Sequence, residues 1–161
     1  MPPRMGSLLT SLTTLALLLA ACSSPSDPED MLLAPQDFPG RELEVERTSS
    51  VELGGGERSA EIVLSGHGYK VYQSIVVFQG TTRAQEVMES LRVSEESLGT
   101  RVAQTPEVGE EALGVFKDRS AGNRNFIVFR QGNALVRVTL EGEGSVDDLV
   151  LFAQKAAEKV G

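Results

Sequence analysis

Tryptophan is absent from this 161-residue chain, histidine and cysteine occur once each, and aromatics make up only 5%. With so few rings a broad stacking platform for sugars is excluded, and Val, Leu and Ile must fill the core. The single cysteine, Cys22, rules out an internal disulfide framework and a thiolate metal site. The single histidine, His67, lies between Gly66 and Gly68 beside Ser65. A catalytic base needs a nucleophile and an orienting acid, and no Gly-x-Ser-x-Gly elbow surrounds Ser65, so a solvated turn histidine is expected. Positive charge is scarce as well, with 15 Lys and Arg against 23 Asp and Glu and a net charge of −8. That balance excludes a basic stripe for nucleic acid and disfavours lying flat on anionic lipid. Long apolar runs are missing too. Leu8 to Ala20 is interrupted by Thr10, Ser11, Thr13 and Thr14, too short for a span of roughly 20 residues.

What is present begins with that same stretch. Arg4 is its only charge, and the apolar part ends in Ala20-Ala21-Cys22. A basic start, a short apolar centre and small residues at the exit predict a secretory signal peptide over 1–21. Leu19-Ala20-Ala21-Cys22 resembles the lipobox of bacterial lipoproteins. The resemblance implies cleavage between Ala21 and Cys22, a diacylglyceryl thioether on Cys22 and often an acyl group, such as palmitate, on the new amine. Two or three chains anchor stably where one holds marginally. The alternative is an ordinary cut after Ala21 that leaves an idle thiol. Cleavage before Cys22 leaves 140 residues with net charge near −9, since Arg4 departs with the leader, a length suited to one domain.

Residues 22–30 read as a flexible tether. Ser23 to Asp30 is polar, holds two prolines and lacks an apolar period, and its eight residues reach at most roughly 28 Å. The single domain is expected over 31–161. Met31 to Ala34 is expected as a helical turn ending before Pro35, and Asp37-Phe38-Pro39-Gly40 as a turn. Leu43 and Val45 alternate with Glu42, Glu44 and Glu46, predicting a half-buried strand. Gly54-Gly55-Gly56 reads as a flexible hairpin loop; no Lys-Ser/Thr follows to make a phosphate cradle. Ala60, Ile62 and Leu64 alternate again. Tyr69 to Phe78 carries Val71, Ile75 and Val77 on one face and Tyr72, Val76 and Phe78 on the other, which predicts a central strand covered on both sides or a wall of a cavity.

Thr82 with Gln85 resembles a capping box, with Ala84, Val87, Met88 and Leu91 at helical spacing up to a stop between Arg92 and Leu98. Gly99 to Glu111 reads as surface connection. Strands are expected at Ala112–Phe116, Asn125–Arg130 and Ala134–Leu140, with Gln131-Gly132-Asn133 as a tight hairpin. Ser145 with Asp148 caps a last helix whose Leu149, Phe152, Ala153, Ala156, Ala157 and Val160 form one stripe. The expected fold is α+β, a mostly antiparallel sheet of about six strands in βββα-βββα order with helices packed on it. The two halves invite a duplication reading.

Leu33 to Gly40, Val108-Gly109-Glu110-Glu111-Ala112-Leu113 and the Gly132-Asn133 hairpin before a valine-rich strand resemble small bacterial envelope lipoproteins. Related domains form extracellular sensors of receptor serine/threonine kinases, and others resemble the PsbP-like sandwich. The kinase sensors carry disulfides, which a one-cysteine chain lacks. The resemblance implies binding of a ligand, lipid or protein rather than catalysis.

The carboxylate groups Glu95-Glu96, Glu107/Glu110/Glu111 and Asp147-Asp148 are explained by solvated loops and helix capping, and Arg124 and Arg130 by cross-strand salt bridges. No catalytic, cofactor-binding or metal-ligating set is expected. A candidate apolar cleft remains, built from Tyr72, Val76, Phe78, Phe126 and Val128. The expected function is that of a non-enzymatic, lipid-anchored lipoprotein on the extracytoplasmic face of a bacterial membrane, binding a small molecule or an envelope protein and no nucleic acid. A lipid carrier with a cavity between sheet and helices is the alternative.

Overall fold

The computed structural model describes residues 27–98, 102–103, 107–116 and 124–161. The expected signal peptide, Ala21, Cys22 and the first part of the tether lie outside them.

The strands are β1 (Glu44–Glu52), β2 (Arg58–Gly66), β3 (Tyr69–Val77), β4 (Val102–Ala103), β5 (Glu111–Val115), β6 (Arg124–Gln131) and β7 (Ala134–Gly142). The helices are α1 (Thr81–Ser97), between β3 and β4, and α2 (Val146–Val160), after β7. All strand pairs are antiparallel, and the sheet order is β1-β2-β3-β7-β6-β5-β4. The α+β expectation of about six strands therefore holds, with the two-residue β4 as an addition. Two meanders meet at β3 and β7, and each is followed by a helix.

The helices cover opposite faces. Leu149, Phe152, Ala153 and Ala156 of α2 pack with Ala60, Ile62, Leu64, Val71, Ile75, Val136 and Val138 in the larger core. Ala84 and Met88 of α1 pack with Phe78, Leu113, Val115, Phe126, Val128 and Leu135 in the smaller one. A rotation about the sheet normal preserves faces, so it cannot relate these two βββα runs.

α2 forms as expected. Ser145 Oγ accepts from Asp148 N–H at 3.1 Å and the Ser145 N–H donates to Asp148 Oδ2 at 2.9 Å, closing the capping box. α1 departs at its start: Gly80 is the N-cap, no side chain caps it, and Thr82 falls inside the first turn.

Four further expectations need correction. Asp27 to Asp30, expected within the flexible tether over 22–30, belong instead to the fold, because Pro28–Met31 forms a 3₁₀ turn capped by Asp27, with Pro28 and Met31 buried. The helical turn expected at Met31 to Ala34 is replaced by that turn and a second over Pro35–Asp37, since Leu32 and Ala34 are extended. Leu43 is buried just before β1, but Val45 is 50% exposed and all nine residues of β1 face solvent. At the sheet edge nothing imposes an apolar face, so alternation misleads there. Gly99 to Glu111, read as surface, contains β4 and the buried Val108.

The segment 27–43 instead forms part of the larger core. Gln73, 1% exposed in the middle of β3, accepts from the Leu33 N–H at 2.6 Å and donates to the Met31 carbonyl at 3.2 Å. Phe38 packs against Phe152 with centroids 4.5 Å apart and the rings tilted by 56°. Arg41 pairs with Asp148 at 2.6 Å, donates to the Tyr69 hydroxyl at 3.1 Å and lies over the Phe152 ring. Lys159 pairs with Asp37 at 2.9 Å.

Candidate functional site

On the face that α1 covers, antiparallel register sets side chains in rows. One row runs Arg47, Val63, Tyr72, Thr139, Phe126, and the next runs Glu61, Ser74, Arg137, Val128, Leu113. α1 closes the β5–β6 end of these rows and leaves the β1–β2–β3 end open. There a groove of about 340 Å³ is lined by Arg47, Glu61, Tyr72, Ser74, Arg137, Thr139 and Glu141 among others. A smaller apolar recess of about 160 Å³ continues beneath α1, between Val76, Leu91, Leu113, Phe126, Val128 and Leu135. Ser74 and Arg137 border both.

The polar groups are held in place. The Tyr72 hydroxyl donates to Glu141 Oε2 at 2.8 Å, a bond that pushes the phenol pKa up and keeps it neutral. The Arg137 guanidinium sits over the Phe126 ring, 4.0 Å from its centroid, so the cation rests on the boundary between polar groove and apolar recess. Lys70, cross-strand from Glu141 and just outside the groove, pairs with Glu46 at 2.8 Å, which raises the ammonium pKa. Such a surface offers hydroxyls, a guanidinium and carboxylates to a hydrogen-bonding ligand.

All five residues of the expected cleft share this face. Tyr72 lines the open groove, while Val76, Phe126 and Val128 line the recess. Phe78 is 6% exposed and packed under α1, outside the opening, because the chain turns into the helix at Thr81, three residues on. The cleft is therefore less apolar than expected. Arg137, Thr139 and Glu141 of β7 were not anticipated. Their alternation with Val136, Val138 and Leu140 marks a strand with one polar face, which by itself does not distinguish a groove from plain solvent.

His67 occupies a turn with φ of 46°, 56% exposed, and its Nε2 lies 3.7 Å from Glu42. Glu110 is an exposed loop acid, as expected, but a paired one, and Glu111 is half-buried at the start of β5 rather than in a solvated loop. Glu110 pairs with Arg130 at 2.5 Å and accepts from the Gly132 N–H at 3.1 Å, which lowers its pKa. Glu111 bonds to Arg92 of α1 and lies 3.7 Å from Arg130 Nε. Arg130 thus makes the cross-strand pairing expected of it. Among the described residues no three His, Cys, Asp or Glu cluster as metal ligands, and no helix is long and apolar enough to cross a membrane.

No protein-family model matches the chain, and no curated protein sequence matches it. Its fold is similar to that of the extracellular domain of PknH from Mycobacterium tuberculosis. The TM-score is 0.64, covering 85% of this chain and 97% of the other. At 12% identity this likeness establishes a shared fold. It agrees with the fold that the kinase-sensor resemblance implied.

Proposed function

We propose that this protein is a non-enzymatic binding domain, held by lipid on Cys22 at the extracytoplasmic face of a bacterial membrane, which takes a small polar ligand into the open groove. The observation that carries the reading is the uneven cover of the sheet. α1 leaves a pre-formed concavity of about 340 Å³, within the roughly 300–1,000 Å³ of small-molecule sites. The lipobox-like Leu19-Ala20-Ala21-Cys22 supports the anchor, and the fold of an extracellular domain supports the location. The lipid-carrier alternative has less room, since the apolar recess offers about 160 Å³.

Isotope-labelled protein titrated with soluble cell-wall fragments, sugars, amino acids and short peptides tests the reading. Binding should move the amide signals of Tyr72, Ser74, Arg137 and Thr139. Ser74→Trp, which fills the groove and supplies the sole tryptophan as a reporter, should abolish it. Turnover of any of these compounds, or saturable binding that Ser74→Trp leaves intact, overturns the proposal.

A further inference from the structure

We infer that β1 is a docking edge for an extended, lysine- or arginine-bearing segment of a partner protein, which adds a strand beside it. β1 is the terminal strand of the sheet and runs nine residues, all of them exposed. An edge of that length presents a rim of backbone donors and acceptors to water. Proteins blunt such edges with proline, lysine, short strands or bulges. β1 holds no proline and no lysine. Its one bulge, at Glu46 between Val45 and Arg47, leaves the six residues Arg47 to Glu52 in regular register with β2. That stretch can accept another strand by main-chain hydrogen bonding.

A second copy of this chain is a poor occupant. Because the bulge at Glu46 switches the faces, Thr48, Ser50 and Glu52 share one side of the regular stretch and Arg47 lies on the other. Antiparallel self-pairing that keeps the faces aligned would therefore lay a second Thr48, Ser50 and Glu52, and no basic side chain, on the side where Ser50 meets Glu29.

The charge beside the edge selects the occupant instead. At the C-terminal end of β1 a notch of about 230 Å³ lies between the Pro28–Met31 turn and the strand. Asp27, Glu29, Ser50 and Glu52 line it with Arg58. Arg58 pairs with Asp27 at 3.4 Å and Glu29 accepts from the Ser50 hydroxyl, which leaves three carboxylates to one guanidinium. A basic side chain projecting from a strand laid along Arg47 to Glu52 can reach this notch, so backbone pairing supplies affinity and the notch supplies the charge preference.

The test uses the purified protein and three short synthetic peptides. One alternates lysine with valine and threonine, one carries glutamate in place of lysine, and one keeps the lysines but has a central proline. The lysine peptide should bind and shift the amide signals of Arg47 to Glu52, and the other two should not. Glu29→Lys combined with Glu52→Lys, both on the surface, should weaken binding about tenfold or more. Equal binding of the proline peptide would reduce the effect to diffuse charge attraction and overturn the proposal. Shifts spread away from β1, no shift at all, or a protein already dimeric through β1 would overturn it too.

Discussion

Asp148 serves two partners, the cap of its own helix and Arg41 from the N-terminal segment. Bonds from the Ser145 hydroxyl and backbone, and then Arg41, outweigh burial and push its pKa down to about 2. A carboxyl depressed in the folded state stabilises fully above its unfolded value near 4, and the contribution fades as pH falls from about 4 to about 2. With the side chain 24% exposed, Asp148→Asn should cost about 1–2 kcal/mol at neutral pH. Urea unfolding at pH 7 and pH 2 should show the difference shrinking to near zero in acid. Gly109 is a second residue whose identity has a local cause. Its φ is +64°, and a Cβ there would lie 2.7 Å from the Arg130 carbonyl oxygen. Gly109→Ala should therefore lose roughly 1–3 kcal/mol, read as a lowered thermal midpoint. This close approach accounts for the Gly in Val108-Gly109-Glu110-Glu111: the turn lets Glu110 N–H donate to Arg130 and aims both glutamates at arginines.

Among the elements, Gln73 decides how the N-terminal segment is attached. Gln73→Leu keeps the volume but strands the Leu33 N–H and the Met31 carbonyl without partners. The expected loss is roughly 2–4 kcal/mol, with faster amide hydrogen exchange at Leu33 than elsewhere in the core. The elements that were readable from residues alone are those whose burial imposes a period. α2 announces itself through Ser145, Asp148 and the stripe from Leu149 to Ala156. β3 and the β6–β7 hairpin do so through alternation on either side of Gly132-Asn133. The start of β1 was legible as a strand through Leu43 and Val45, but its burial and its extent to Glu52 were not, because an edge strand exposed on both faces is held to no pattern. The two 3₁₀ turns escape because their burial depends on Gln73, a polar residue forty positions away. β4 is too short to show a period at all. For the groove, the apolar side of the face could be read from Tyr72, Val76, Phe126 and Val128. The polar side could not, because Arg137 and Thr139 look like any solvated strand residues until α1 is known to stop short of them.

Taken whole, the molecule is a sheet with one face closed by α2 and residues 27–43 and the other closed over only part of its width. The proposed lipid attachment of this body is tested at Cys22. Cys22→Ser in the full chain should shift the protein from the membrane to the soluble fraction or leave the leader uncut, read by fractionation and intact mass. Retention of the variant in membranes would remove the lipid from the account. The docked segment also sets a geometric limit. With Asp27 and Pro28 already fastened to the fold, only the link from Cys22 to Asp27 can pay out, a covalent reach of at most roughly 18 Å. On the proposed anchor, the body could not patrol the space beyond the bilayer surface. Whatever it meets must come down to it, and the acidic notch at Asp27 would be the first part of the fold encountered on leaving the lipid.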